Sequence, residues 1–391
     1  MPHLLIDATC LGKRISGFER YTHEIVKALT TQVENNEKMR LSILVSRNER
    51  VEGRDGENKN FSCKHPSGRV KYVSLNSSGR IIRDLFELPY RIQLLSPDVV
   101  LFPAFPPSPF IHLLPKRIRL FRTIHDVVPW RFPETLSFKY KAYFRPQESL
   151  AWSRYEKILT VSPFSERELK KQFPKDAAKI VNCGNALPSS FLCIGDEASE
   201  QKNSFSEAVK KKYKIEPGFL LFVGTIEPRK NILFLFDVLK ELASINPKIR
   251  MILVGRRGWG GIHPDKMSRK YGLEKNMQWL KNVSDRELEV IYRLASVFLF
   301  PSFYEGFGYP VLEAMASGTP VLANDIEVIR EMAEDAVLYR SVNSPKLWCQ
   351  DTLHILNDEE LRLRFVQKGR ERANLYRWEV VGKRLLDFVC S

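Results

Sequence analysis

Several chemistries are missing from this chain of 391 residues. No run approaches the roughly 18 consecutive apolar residues that a membrane-spanning helix needs. The start, Met-Pro-His-Leu-Leu-Ile-Asp, has no basic stretch leading into an apolar one, so it reads as a first buried strand rather than a secretory signal. The six cysteines (Cys10, Cys63, Cys183, Cys193, Cys349, Cys390) are scattered without a Cys-x-x-Cys pair. That speaks against a structural zinc site or a disulfide framework and fits a reducing cytosol. Asp-x-Asp, a common holder of a divalent ion on a diphosphate, occurs nowhere. The Gly-x-Gly-x-x-Gly fingerprint of nicotinamide enzymes is absent too, since Asp7-Ala-Thr-Cys-Leu-Gly12 offers a single glycine. No helix-turn-helix, zinc-finger or RNA-recognition motif is present, so nucleic acid is not an expected partner.

The composition is that of a globular protein: 43% apolar and 27% charged residues. The length exceeds one ordinary core and implies two domains. Net charge is +15, divided as +9 before residue 200 and +6 after it. Such a surface suits acidic partners, among them anionic lipid and phosphorylated small molecules.

Apolar runs alternate with helical periods, the pattern of parallel sheets covered by helices on both faces. Strands are expected at residues 4–6, 41–45, 99–102, 120–124, 158–161 and 179–182, with helices at 17–30 and 165–172. The polar segment 48–68 reads as a mobile surface loop. A composition break at 195–206 reads as part of an interdomain linker, giving domains at 1–200 and from 201 onward. Beyond it the rhythm restarts, with strands at 219–224, 251–255, 297–300 and 320–323. The expected fold class is α/β: two Rossmann-like, doubly wound parallel-sheet domains facing each other across a cleft. Ligands bind such sheets at the carboxyl ends of the strands.

Two segments carry the chemistry. The first is Tyr304-Glu305-Gly306-Phe307-Gly308-Tyr309-Pro310-Val311-Leu312-Glu313, leading through Ser317-Gly318-Thr319-Pro320-Val321 into a strand. Pro310 suits the first turn of a helix that Gly318 ends. Gly306 and Gly308 let a ligand approach backbone N–H groups at that helix start, which attracts anionic or hydroxyl-rich ligands. Glu305 precedes the helix and Glu313 lies about one turn in, so both carboxylates can face one ligand. The second segment is Phe222-Val223-Gly224-Thr225-Ile226-Glu227-Pro228-Arg229-Lys230-Asn231. It reads as a strand end, a turn, and two cations opening a helix over 231–242. Arg229 and Lys230 suit a diphosphate, and beside a helix N-terminus they would stabilise charge building on a leaving phosphate.

These segments resemble the retaining glycosyltransferases of family 4, which have the two-Rossmann GT-B architecture, and the likeness covers nearly the whole chain. Ser16-Gly17-Phe18-Glu19-Arg20-Tyr21 is similar to the family's first glycine-containing loop, with Glu19 where many members have glycine. Thr123-Ile124-His125-Asp126-Val127 resembles the loop whose histidine approaches the transferred sugar, and Asp126 suits either a turn or a substrate contact. Val161-Ser162-Pro163-Phe164-Ser165 matches the family's strand-to-helix step late in the first domain. The segments from Val254 to Trp259 and from Val283 to Leu288 resemble those flanking the nucleotide base. Tyr376-Arg377-Trp378-Glu379 resembles the start of the last helix, giving a donor domain at 201–374 and a helix at 375–391 that crosses back to the first domain.

The resemblance implies roles residue by residue. Glu305 contacts the donor sugar, helped by N–H groups near Phe307 and Gly308, and Glu313 holds the ribose hydroxyls. Arg229 and Lys230 bind the diphosphate, Gly17 lets its loop approach the phosphates, and His125 reaches the donor sugar. Gly224, Val283 and Gly306 line the same donor site. The implied reaction needs no metal and no resident cofactor, and it retains the anomeric configuration. The forms of the two segments resemble bacterial polysaccharide mannosyltransferases, which favours a GDP-mannose donor and a glycan or lipid-linked acceptor, in the cytoplasm. The basic amphipathic stretch 80–95, interrupted by Pro89, suits either peripheral contact with an anionic membrane or a core-facing helix. An epimerase or phosphorylase of the same architecture, or a basic nucleic-acid-binding protein, are the competing readings.

Overall fold

A computed structural model describes residues 1–11, 17–35, 38–46, 68–77, 79–135, 140–192 and 200–391. The chain forms two compact units, Met1–Pro188 with Arg377–Ser391, and Ser189–Tyr376. The first unit therefore ends at Pro188, ahead of the expected boundary at 200. The short helix Ser189–Leu192 packs on helices of the second unit, with the Phe191 ring 6.0 Å from that of Tyr292. Residues 200–206 of the expected linker open the helix Glu200–Tyr213, because Glu, Gln and Lys are good helix formers as well as common loop residues. The expected loop at 48–68 lies outside the described residues apart from Gly68.

The first unit holds seven parallel strands: β1 (His3–Asp7), β2 (Arg40–Ser46), β3 (Val70–Leu75), β4 (Val99–Phe102), β5 (Arg119–Ile124), β6 (Tyr155–Thr160) and β7 (Ile180–Asn182), in the order β3-β2-β1-β4-β5-β6-β7. The central runs Leu4-Leu5-Ile6 and Val99–Phe102 are buried on both faces, as helix-covered strands must be. Ser162 caps the helix Pro163–Gln172 by accepting from the Ser165 N–H at 3.0 Å. The final helix, Trp378–Cys390, packs against Gly17–Glu34, where the Gln32 amide donates to the Glu379 carbonyl at 2.8 Å. Arg119 donates to the Val389 carbonyl at the same helix's far end.

The second unit holds six parallel strands: β8 (Phe219–Val223), β9 (Met251–Val254), β10 (Met277–Leu280), β11 (Ala295–Phe300), β12 (Val321–Ala323) and β13 (Leu338–Tyr339), in the order β10-β9-β8-β11-β12-β13. Phe222, Phe236, Val297, Leu299 and Trp348 are fully buried in its core. Each such side chain contributes about 1.5–3 kcal/mol by leaving water. Strand order reverses between β8 and β11 here and between β1 and β4 in the first unit, which marks two crevices at the carboxyl ends of the strands. Among the described residues no helix is long and apolar enough to cross a membrane.

Candidate active site

The crevice between β8 and β11 gathers most of the residues singled out in the second half of the sequence. β8 leads through Gly224 to a separate 3-10 turn, Pro228–Lys230, and the helix Ile232–Ile245 starts only after Asn231. Arg229 and Lys230 thus do not open the helix as expected. Asn231 adopts a left-handed conformation (φ 53°), breaking the turn from the helix and aiming both cations toward the loop after β11. Backbone joins the two loops, since the Phe303 N–H donates to the Arg229 carbonyl at 2.9 Å.

Side chains then close the cluster. Lys230 Nζ donates to Glu305 Oε1, and Arg229 donates to Glu305 Oε2 at 3.1 Å and to the Tyr304 carbonyl at 2.6 Å. The other edge of the guanidinium donates to Glu227 Oε1 at 2.7 and 3.1 Å. Lys230 and Glu305 are buried, with 6% and 7% exposure. Burial is the largest influence on both groups and works against charge on each. At Glu305 the charges of Lys230 and then Arg229 outweigh burial, holding the carboxyl below its ordinary value. At Lys230 burial prevails over the pull of Glu305 and draws the ammonium below lysine's ordinary value. These directions pull against each other; the Glu305 direction is the firmer, because two cations face its one charge. The carboxylate expected on the sugar and the cations expected on the diphosphate are therefore joined into one buried network.

The next segment brings backbone donors to the same place. Gly308 caps the helix Tyr309–Ala316 with φ 104°, and a Cβ there would meet Ile329 Cδ1 at 2.4 Å. Only glycine satisfies both conditions. Among the described residues, the N–H groups of Phe307 and Gly308 donate to nothing, so this helix start keeps open donors. Glu313 lies on the same helix but is fully buried, and the Tyr292 hydroxyl donates to its Oε2 at 3.1 Å. Glu305 and Glu313 thus go to different partners.

Neighbouring strand ends complete this edge. Gly255 follows β9, where a Cβ would lie 1.9 Å from the Gly224 carbonyl oxygen, so the two exits touch backbone to backbone. Trp279 of β10 donates from Nε1 to the Gly255 carbonyl at 2.8 Å, and Lys281 Nζ stands 3.7 Å from the centre of its ring. Val283 is half-buried just before Ser284, which with Glu287 forms a capping box on the helix Asp285–Leu294. Among the described residues no three His, Cys, Asp or Glu side chains group as metal ligands.

In the first unit, His125 follows β5 directly. Its Nε2 lies 2.8 Å from the Pro103 carbonyl, which follows β4. A carbonyl only accepts, so Nε2 carries the hydrogen and Nδ1 is the open acceptor in the neutral ring. Phe18 and Tyr21 flank the ring edge-on, at 4.7 and 4.8 Å between centroids. Burial first, and then the Arg122 charge, bring the imidazole down to about 4 despite the Pro103 bond. Asp126 serves as a turn residue, its Oδ1 accepting the Val128 N–H at 3.0 Å. Gly17 is the first helical residue after β1, and the loop before it, 12–16, lies outside the described residues.

Sequence reasoning passed over Glu227, Tyr292, Phe18 and Tyr21 as partners of the named residues. Glu227 sits inside the quoted second segment, two positions before Arg229, where the extended Glu227 backbone (φ −147°) turns its carboxylate back on the guanidinium.

Comparison with known proteins agrees with this architecture. The model of Glycosyltransferase Family 4 matches residues 15–186, and that of Glycosyl transferases group 1 matches residues 204–372. The O-antigen chain mannosyltransferase B of Escherichia coli is 31% identical over 270 residues, which is 68% of this chain and 69% of that protein. The O-antigen chain mannosyltransferase RfbU of Salmonella typhimurium is 30% identical over 226 residues, 58% of each chain. Among solved structures, a glycosyltransferase of Rickettsia africae superposes with a TM-score of 0.68 at 15% identity, over 99% of this chain and 97% of that one. Anabaena HepE in complex with UDP and glucose gives 0.69 at 13% identity over the full length of both. At such identities the structures speak for the fold alone, whereas the family models and the first relative decide membership. The chain belongs to glycosyltransferase family 4, and it is a glycosyltransferase with two Rossmann-like parallel-sheet units.

Proposed function

We propose that the chain is a retaining, metal-independent hexosyltransferase that moves mannose from GDP-mannose to a growing glycan on a lipid carrier, in surface-polysaccharide assembly at the cytoplasmic face of a membrane. The observation that carries this reading is the buried network of Arg229, Lys230 and Glu305 at the β8–β11 crevice. Relatives named as O-antigen mannosyltransferases support the sugar and the pathway class.

In this reading the diphosphate meets the Lys230 ammonium, two of whose N–H bonds are not used by Glu305, and lies within the field of the Arg229 charge, whose donors are engaged by Glu227, Tyr304 and Glu305. Their charge takes the place of a divalent ion as the sugar–phosphate bond breaks. Glu305 and the open N–H groups of Phe307 and Gly308 hold the sugar. Glu313 takes ribose hydroxyls in this reading only after its surroundings shift to expose it, since it is fully buried and bonded to the Tyr292 hydroxyl. His125 presents Nδ1 to a sugar hydroxyl as an acceptor, and with its depressed pKa it is a positioning group rather than a proton donor. The bond from the anomeric carbon to the phosphate oxygen breaks, the acceptor oxygen bonds that carbon on the same face, and the departing phosphate takes the acceptor's proton. NMR of the product tests the stereochemistry: an α-linked product from the α-linked donor is expected, and a β-linked one overturns retention. Undiminished transfer in EDTA is expected, and loss restored by a divalent ion overturns metal independence.

A further inference from the structure

The stretch 80–95 is helical throughout, running from Arg80–Ile82 through a π-helical turn, Arg83–Glu87, into Leu88–Leu95. Its two faces differ in what they meet. Arg83, Leu88 and Ile92 are buried against the first unit. Opposite them Ile82, Phe86, Tyr90 and Leu94 recur every four residues, each 60 or 61% exposed. The turn Pro109–Leu113 widens this apolar stripe. Its Phe110 ring is 5.7 Å from Phe86, and the preceding Ser108 hydroxyl donates to the Leu85 carbonyl. Leu113 is 78% exposed, and His112 Nε2 lies 2.5 Å from the carbonyl of the exposed Leu150. Contiguous apolar surface of this extent on a water-facing unit marks an interaction site.

The surrounding charge is mainly positive. Among the described side chains of residues 81–96, 109–117 and 141–150, every exposed charged one is a cation: Lys116, Arg117, Lys141 and Arg145. The acids of these segments are turned inward. Asp84 pairs with Arg83, Glu87 accepts the Asn76 and Ser77 N–H groups, and Glu148 accepts from Arg122 and Tyr155. Asp98, just beyond, is exposed, and its carboxylate accepts the His3 N–H. A self-paired copy would set this cationic fringe against its own image, which is unfavourable.

We propose that this surface docks on the anionic face of a lipid bilayer. The stripe enters the boundary between headgroups and acyl chains, and the four cations meet the headgroups. The proposal deepens the reading of a lipid-carried acceptor and rests on it for its purpose, but its test is independent of that reading. Full-length protein is sedimented with phosphatidylethanolamine–phosphatidylglycerol vesicles and with neutral phosphatidylcholine vesicles. The protein is expected to pellet with the anionic vesicles at low salt and to be released by high salt. Phe86→Ser/Tyr90→Ser/Leu94→Ser is expected to lower the partition coefficient at least about tenfold, and Lys141→Glu or Arg145→Glu roughly fivefold or more each. Both kinds of variant should keep the wild-type melting temperature and nucleotide affinity, which separates docking from folding and from the donor site. Wild type remaining in the supernatant, or a triple variant that pellets like wild type, overturns the docking surface and leaves the proposed transfer standing. A dimer in light scattering that the triple variant dissolves, without vesicle binding, overturns it in favour of a second copy.

Discussion

Replacing Glu305 with Gln removes the one charge that the buried Lys230 and the half-buried Arg229 share. At 3.1 Å and an effective dielectric near 20, a single such pair is worth about 5 kcal/mol before desolvation is set against it. Removing one partner of a buried pair typically costs about 3–5 kcal/mol, because the remaining charge stays buried without compensation. Gln keeps a hydrogen-bond acceptor, and Arg229 retains Glu227, so about 3 kcal/mol is expected at pH 7. For a unit of this size that corresponds to a fall of about 6–12 °C in the melting temperature of the second unit. The cost should depend on pH with a definite sign. Glu305 titrates below its ordinary value of 4.5 in the folded chain, so its stabilisation is fully present above that ordinary value. It fades as the pH falls through the lower folded value, and the gap between wild type and Glu305→Gln should close in acid. Calorimetry of both proteins from pH 8 down to strong acid, with Lys230→Met and the double variant, gives the coupling directly. The double variant should lose less than the two single losses together. A melting temperature unchanged by Glu305→Gln at pH 7, additive losses, or a gap that widens in acid would refute the buried network.

Other positions give further tests. Gly308→Ala combines a left-handed backbone with a 2.4 Å approach to Ile329 Cδ1, so a loss of about 2–4 kcal/mol is expected in chemical denaturation, and Ile329→Ala should recover only the steric part. His125 should show an NMR titration near pH 4 with the hydrogen on Nε2, and a midpoint near 6.5 would remove its assigned environment. Because its folded value lies below the ordinary one, its contribution is present above about pH 6.5 and is lost as the pH falls toward 4, never as it rises. Gly255→Val should leave the second unit unfolded by circular dichroism, since the Gly224 carbonyl occupies the place of its Cβ; a soluble, cooperatively melting variant would contradict the backbone contact.

Much of this was legible in the sequence, for identifiable physical reasons. Interior strands are covered on both faces and so read as continuous apolar runs: Leu4-Leu5-Ile6, Val99–Phe102 and Val297–Phe300 all fall within strands. The strands that went unnoticed, β3, β10 and β13, are sheet edges. In β3 Lys71 and Ser74 face water, and β13 is two residues long, so neither leaves an apolar signature. The site segments stood out because glycine and proline mark backbone that the fold requires, as at Gly308 and Pro310. What spacing could not convey was the pairing of side chains. Glu305 and Lys230 are 75 positions apart and meet only because β8 and β11 are neighbours at the switch point. The full burial of Glu313 and its bond from Tyr292 were equally hidden, since the helical period places residues on a face without saying what covers it.

The central claim is that the β8–β11 crevice binds the donor through Arg229 and Lys230. Calorimetric titration of the full chain with GDP, UDP and dTDP tests it most directly, repeated on Lys230→Ala and Arg229→Ala. Wild type should bind GDP in preference to the other two, and each variant should lose at least about tenfold in affinity while remaining folded. GDP binding unchanged in both variants would contradict the site, and a preference for UDP would contradict the donor.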